Sequence, residues 1–578
     1  MAALLAFNLA TALGTLRRGD RPPPPRVERS HILERPGGTS QRLIPPPPGS
    51  GQPAAAPQGP CSTSDPAAAP PAVPSPPAGP DPAAPSPAAA ATPGAATRAV
   101  SGAAAVAGPA AAAAPGVSGV AGTCLAAAPA ASAAESSPAV AEQPAALPGP
   151  AAPPAVHPAA AALAGLVQAR LGDPRLAGTT VGLSVWVEGL GEVAAHNADL
   201  PLTPASNQKL FTAMGVLSLI PQTDRLVTEV RATGALEGRT LTGDLFLVGG
   251  GDPTLNARGR HSLDDLAAAV KARGIDEIRG ALVGDETRYD AVRGAPGWLP
   301  QHVPVFIGPL SALVVDRNQL RPDPQYAADP VPGTLPYFRA ALLRAGVRVL
   351  GPNLAGAAPA TSAVLAALPS PPVGDLVGEM LNQSDNLIAE LLVKEVGYRT
   401  ARTAAAPGTG SATATGTTRA ALEPGPSPHT AAGAGWAPGS TAGGLAAINE
   451  AVRQLGVPLT GVAADGSGLS REDRRSAREW RSLLQAAQGQ PWAERLVGSL
   501  PLGARTGTLV RRFARTAAEA NVRAKTGWID EARSLSGYLT TAGGRPVVFS
   551  VVVNGTTPAS PALNALDSLV AAIAADRS

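Results

Sequence analysis

The chain has 578 residues, including 64 glycines and 63 prolines, with 15% charged and only 3% aromatic side chains. A net charge of +3, with no Lys/Arg stripe carrying interleaved aromatics, argues against a nucleic-acid partner. Cys61 and Cys124, the only two cysteines, both fall in an Ala/Pro-rich tract, which removes disulfide frameworks, cysteine-ligated zinc and a cysteine nucleophile from the rest of the chain; six scattered histidines without HExxH argue against a metal enzyme.

Residues 1–16 are apolar but short, and Arg17 and Arg18 follow them where a secretory signal would have its charges upstream. They read either as the tail of an export signal or membrane anchor that starts upstream, or as a disordered Ala-rich start. No run of 18 apolar residues suggests a spanning helix. Of the 18 aromatic residues only Phe7 precedes residue 158, and residues 43–157 hold five charged side chains. Such a segment cannot bury enough apolar surface to offset chain entropy, so residues 1–157 are expected to be disordered.

From residue 158 the pattern changes. Residues 159–171 have helical apolar spacing and 179–188 alternate like a strand. A helix start follows at Pro204. Residues 229–356 read as a separate, mainly β block, with short strands near 241–248 and 281–284 and a helix at 263–273. Residues 375–396 form a strong helical pattern broken by Asn382-Gln-Ser-Asp-Asn. Residues 401–440 are a second low-complexity tract, read as an exposed loop. A helix at 445–455, strands at 535–541 and 546–554, and a helix at 561–574 complete the chain.

Lysine is rare: Lys209, Lys271, Lys394 and Lys525 stand against 42 arginines. Where lysine survives in such a background, an amine able to lose its proton is a reason for it, since a guanidinium cannot. Two of the four lie in short strings with catalytic character. In Ser206-Asn-Gln-Lys209 the spacing puts amine and hydroxyl on one helix face, where a lysine held neutral can take the serine proton. In Ser384-Asp385-Asn386 a hydroxyl can relay a proton and an amide can grip the lysine; a helix cap or Asx turn is the plainer reading. In Lys525-Thr526-Gly527 a cation and a hydroxyl on a strand edge suit a carboxylate, and the glycine admits a peptide backbone; an exposed strand end is the plainer reading. Each string alone is weak.

Together, and in this order, they are the signature set of serine β-lactamases and penicillin-binding proteins. The 178 residues from Ser206 to Ser384 exceed what a compact β-lactamase needs. The chain resembles the class C low-molecular-mass penicillin-binding proteins, the D-alanyl-D-alanine carboxypeptidase/endopeptidase family, which carry an insert there. Further strings share the likeness, among them Gly249-Gly-Gly-Asp-Pro-Thr-Leu, Gly284-Asp-Glu, Asp465-Gly-Ser-Gly-Leu-Ser-Arg and Gly507-Thr-Leu. The glycine string reads as a tight turn, Asp465 to Arg471 as a loop shaping the cleft, and Asp285 as a solvated turn residue.

The resemblance implies an α/β fold, an antiparallel sheet flanked by helices, assembled from 158–228 and 357–578 with 229–356 inserted. It implies Ser206 as nucleophile, Lys209 as base, Ser384 as proton relay and Asn386, Lys525, Thr526 and Gly527 as substrate-binding residues. The amides of Ser206 and Trp528 would form the oxyanion hole. It implies no metal or organic cofactor, peptidoglycan stem peptides and β-lactams as partners, and an extracytoplasmic location; attachment through the N-terminus belongs to the anchor reading of residues 1–16, one of the two left open there. Trp528 departs from the small or hydroxyl residue usual after Lys-Thr-Gly, which bears on substrate range. The rivals are a β-lactamase, disfavoured by the insert and the lack of Glu-x-x-Leu-Asn, and a non-catalytic wall-binding protein, which would not need Lys209.

Overall fold

The computed structural model describes residues 157–318, 329–405 and 437–578. The expectations for residues 1–156, and for most of the 401–440 tract, lie outside the described residues.

Helix α1 (Pro158–Leu171) starts where His157 caps the Ala159 amide and a proline occupies the first turn. Strands β1 (Thr180–Val187) and β2 (Gly191–His196) follow as an antiparallel pair. A single 3₁₀ turn at 205–207 then opens into helix α2 (Gln208–Leu219), ten of whose residues are buried. An all-round buried helix belongs in a core, and α2 is the central one.

The chain next leaves for the inserted block. Strands β3 (Arg225–Ala232), β4 (Leu236–Glu237), β5 (Thr240–Leu241) and β6 (Leu245–Val248) lead to helix α3 (Leu263–Ala272). A capping box from Ser262 and Asp265 fixes the start of α3. Strands β7 (Glu277–Ile278) and β8 (Leu282–Asp285), helix α4 (Pro330–Arg344), and strands β9 (Arg348–Val349), β10 (Asn353–Ala355) and β11 (Ala363–Pro372) complete it. They form a five-stranded sheet ordered β10-β8-β6-β3-β11 and a small one ordered β4-β5-β7-β9. Because β11 runs back along β3, the sheet reaches from Arg225 to Pro372, past both ends of the 229–356 block. Helix α3, read from the sequence at 263–273, and helix α4, absent from that reading, share one apolar core with it.

Helices α5 (Val373–Gln383) and α6 (Asn386–Ala405) are separated by two residues, with Ser384 left-handed at φ 61°. Next come α7 (Thr441–Gln454), α8 (Ala477–Gln488) and α9 (Ala493–Ser499). The chain ends in β12 (Arg523–Ile529), β13 (Ala532–Thr540), β14 (Pro546–Asn554) and α10 (Ala562–Ala575).

The main sheet is antiparallel and ordered β12-β13-β14-β1-β2. Its strands sort side chains by parity. Val547, Phe549, Val551 and Val553 pack with α1 and α10, whereas Val548 and Val552 face α2 and the helices around it. Edge strand β12 is left to border the site.

The insert is pinned to α6 by buried ions. Glu395 accepts a bidentate pair of bonds from Arg288 at 2.8 and 2.7 Å, with Arg399 and the Tyr289 hydroxyl as further donors. Burial alone would push the Glu395 carboxyl up, but Arg288 and Arg399 outweigh it and hold it down at about 2. Asp285, read from the sequence as solvated, is in fact buried. Its carboxylate accepts from Thr287 and from the Ala358 amide at 2.7 Å, closing the end of β8. The triple glycine is packing as much as turn: a Cβ on Gly250 would lie 2.1 Å from the Val227 carbonyl oxygen.

Candidate active site

The 3₁₀ turn sets the serine. Ala205 sits at φ 49°, a strained value for a residue with a Cβ, and it is fully buried. The turn is held from three sides. Asn207 donates to Ser536 Oγ on β13 at 2.6 Å, and Ser534 Oγ donates to the Pro204 carbonyl at 2.7 Å. Gly468, at φ 83°, lies so close that a Cβ there would be 1.9 Å from the Ala205 oxygen.

Lys209 is completely buried, and its Nζ lies 3.0 Å from Ser206 Oγ. It also donates to Asn386 Oδ1 at 2.7 Å and to the Ser467 carbonyl at 2.6 Å. The geometry counts hydrogens. A neutral amine has two, and two committed acceptors take them, so the lone pair is left facing the serine hydroxyl. Burial pulls the amine down to about 8, although Asp465, Glu390, Asp385 and Asp473 work in the other direction.

The Ser-Asp-Asn string divides its labour. Asp385 does what the plainer reading asked: its carboxylate accepts the Ile388 amide at 3.0 Å and caps α6, braced by Arg317. Its neighbours go to the two lysines. Asn386 meets Lys209, and one of its amide hydrogens goes to the Phe306 carbonyl at 3.2 Å, a group supplied by the insert. Ser384 Oγ accepts from Lys525 Nζ at 2.8 Å, an arrangement the left-handed link between α5 and α6 makes possible.

Lys525 is completely buried and also donates to the Thr526 carbonyl at 2.8 Å. Burial first, and Lys209 second, hold its amine well below the usual lysine value. Thr526 Oγ1 donates to Thr508 Oγ1 at 2.8 Å. Gly527 has a packing reason beside the one its motif suggested. A Cβ there would meet Ser534 Oγ at 2.0 Å and the Pro204 oxygen at 2.7 Å, so the glycine lets β12 lie against the serine turn. The Trp528 indole is 46% exposed, with the Arg533 guanidinium 4.1 Å from its ring centroid.

The other two lysines answer to a simpler need. Lys394 pairs with Asp290, and Lys271 with Asp276. Rarity of lysine therefore pointed to the site at two positions and to structural ion pairs at two.

The loop 464–470 reads from the sequence as shaping the cleft; what that reading misses is its contact with Lys209 and the supports that hold it. Asp465 is wrapped by the loop, accepting the amides of Gly468 at 2.6 Å and Ser470 at 2.8 Å, and the Trp298 indole N–H at 2.8 Å. Gln208 and Thr212 donate to its backbone carbonyls at 465 and 466. From α6, Glu390 accepts the Gly466 and Ser467 amides, and burial pushes its carboxyl up. Glu390 stands four residues after Asn386, one helical turn on the same face, which is the signal that could have found it.

Comparison with known proteins gives a consistent picture. The profile of the D-Ala-D-Ala carboxypeptidase 3 (S13) family matches residues 163–330, 326–418 and 429–575. A D-alanyl-D-alanine carboxypeptidase of Actinomadura sp. (strain R39) is 30% identical over 476 residues, covering 68% of this chain and 81% of that protein. The crystal structure of penicillin binding protein 4 from Haemophilus influenzae superposes with a TM-score of 0.59 at 20% identity, covering 71% of this chain and 99% of that one. A second structure of it, in complex with a β-lactam, superposes with a TM-score of 0.55 at 21% identity, covering 71% and 98% of the two chains.

Proposed function

The chain belongs to the D-Ala-D-Ala carboxypeptidase 3 (S13) family of cell-wall peptidases, and from that premise we propose that it is a serine-type DD-carboxypeptidase/endopeptidase working through an acyl-enzyme on Ser206. One observation carries this reading. The buried Lys209 amine has both hydrogens of its neutral form committed to Asn386 and Ser467, leaving its lone pair 3.0 Å from Ser206 Oγ.

Ser206 Oγ attacks the carbonyl between the two terminal D-alanines while Lys209 accepts its proton. The tetrahedral oxyanion is held by the amides of Ser206 and Trp528, donors that do not depend on side-chain identity. The proton reaches the leaving D-alanine amine through Ser384, and the C–N bond breaks. Water then attacks the Ser206 ester and frees the enzyme. Asn386 keeps one amide hydrogen beyond that given to Phe306, which can orient the peptide. Lys525 and Thr526 receive the terminal carboxylate. An arriving anion favours the charged form of the Lys525 amine against the burial that pulls it down.

The substrate is the stem peptide of peptidoglycan, and a β-lactam that mimics its end acylates the same oxygen. Both place its action outside the cytoplasm. No helix among the described residues is long and apolar enough to cross a membrane, and attachment through the N-terminus concerns residues outside those described.

Mass spectrometry after benzylpenicillin tests the reading. One drug equivalent should map to the peptide carrying Ser206 and vanish in Ser206→Ala; an adduct elsewhere, or none, overturns it. Release of D-alanine from a pentapeptide separates a peptidase from a wall-binding protein. A smaller effect is expected at Thr508. Thr508→Val removes the hydroxyl that accepts from Thr526, a loss of about 1 kcal/mol. KM for the pentapeptide should rise by roughly fivefold with kcat nearly unchanged; an unchanged KM would remove Thr508 from the carboxylate site.

A further inference from the structure

The amine of Lys209 is oriented by a backbone carbonyl, and that carbonyl needs a support of its own. The peptide plane of Ser467 O also carries the Gly468 N–H, which Asp465 Oδ1 holds at 2.6 Å from within the loop, so what remains to be fixed is the position of the loop residue itself. Glu390, completely buried on α6, supplies the fixing. Its Oε1 accepts the Gly466 amide at 3.0 Å and the Ser467 amide at 2.8 Å. The Ser467 carbonyl, on the same residue, receives the Lys209 amine at 2.6 Å. From carboxyl to catalytic nitrogen the path is therefore one residue long.

The loop is pressed directly on the helix that carries Glu390. A Cβ on Gly466 would lie 2.6 Å from Val393 Cγ2 and 3.1 Å from the Ala389 oxygen, both on α6. Asp465 shares the Ser467 amide at 3.1 Å but reaches it from within the loop, so it stiffens the loop without tying it to a helix. Thr212 and Gln208, on the lysine's own helix, hold the carbonyls at 466 and 465. Glu390 alone among these side chains binds the loop from α6, the helix that also presents Asn386, the lysine's other acceptor.

Resting on the reading of Ser206 and Lys209 given above, we propose that Glu390 is a positioning residue for Lys209. By gripping the two amides that lead into Ser467 it sets that residue against α6, while Asp465 holds the plane of its carbonyl through the Gly468 amide; one hydrogen of the lysine is thereby kept turned away from Ser206 and the lone pair turned toward it. Both acceptors of the amine are then referenced to one rigid helix. The grip does not require a charge, because Oε1 accepts the two N–H groups in the acid as in the carboxylate. Oε2 meets no donor among the described residues, so a glutamine can place its carbonyl on the amides without displacing a partner.

The test is the second-order rate of acylation by benzylpenicillin, divided by the fraction of Ser206 that is acylated at the end point. That division removes any loss of folded protein. Glu390→Ala should lower the per-site rate by roughly tenfold to a hundredfold, the scale on which a misplaced catalytic group loses rate. Glu390→Gln should recover it to within about threefold, since the grip is kept. Should the alanine variant fail to fold, Glu390→Met fills the volume without an acceptor and is expected to be as slow. A wild-type per-site rate in Ala or Met, or a Gln variant as slow as Ala, overturns the proposal; a purely architectural side chain would shrink the acylated fraction and leave the per-site rate alone. If the wild-type protein itself is not acylated on Ser206, it is the reading of the nucleophile that fails.

Discussion

Lys209→Arg is expected to lower the rate of Ser206 acylation by at least about a thousandfold, although it keeps a positive charge. A positioned general base contributes on the order of 10² to 10⁴ in rate, and a guanidinium cannot act as one because it does not lose its proton. Geometry adds to the loss. The three neighbours of Nζ, at 2.6, 2.7 and 3.0 Å, converge on a point, whereas a guanidinium presents a planar fork. Stopped-flow acylation with benzylpenicillin gives the number, and an arginine variant within tenfold of wild type would rule out the amine as base. The same amine predicts a pH profile. The competent form is unprotonated and the value is drawn down to about 8, so the rate should rise about tenfold per unit below pH 8 and level off above it. Burial disfavours the ammonium and the surrounding carboxylates favour it, so Asp385→Asn, which can keep the helix cap, should move the rise to lower pH. A flat profile from about pH 6 to about pH 9 would contradict the assignment.

Much of this site could be read from the chain because its chemistry is compressed into short strings. Ser206 and Lys209 are three residues apart, Ser384 and Asn386 two, and these distances survive folding. Elements around the site were legible too: β1, β14, α1 and α10 read as apolar segments, and the break at 382–386 marks where α5 ends and α6 begins. The unread parts depend on tertiary contact. Helix α8 is the exception: the sequence reading passes over it although Ser476 and Glu479 make a capping box and Trp480, Leu483, Leu484 and Ala487, all buried, stand at helical spacing. Strand β11 holds three prolines, which argue against a strand until β3 is seen to pair with it. Asp285 has the composition of a surface turn, and its burial follows from where Ala358 returns. The loop at 464–470 reads as shaping the cleft, but its contact with Lys209 is not foreseen, for a related reason. What it offers Lys209 is a main-chain oxygen, and a main-chain oxygen has no signature in sequence.

Gly468 shows how much depends on that loop, and Gly468→Ala is the second substitution with a large expected effect. Two costs combine. At φ 83° an alanine pays about 1–2 kcal/mol for the left-handed backbone. Its Cβ would also stand 1.9 Å from the Ala205 oxygen and 3.0 Å from the Ser206 nitrogen, both main-chain atoms without a rotamer to retreat into. Overpacking of this kind costs about 1–3 kcal/mol when the surroundings yield, and here the surroundings are the nucleophile's own turn. Relief can come from the turn moving toward β12, where a Cβ on Gly527 would already stand 2.7 Å from the Pro204 oxygen, or from the loop moving away with the Ser467 carbonyl. Either displaces Ser206 from Lys209, and a shift near 1 Å costs on the order of a hundredfold in rate. The variant should therefore lose about 3 kcal/mol of stability and acylate about a hundredfold more slowly per folded molecule, with the pentapeptide's KM changing less than kcat. Thermal denaturation and end-point-normalised acylation measure the two losses separately. Because the motif places Gly466 and Gly468 on either side of Ser467, the comparison with Gly466→Ala is informative: there the clash is with the Val393 side chain, which can turn aside. An alanine at 468 that acylates as fast as wild type would mean the serine turn is not held by this loop at all.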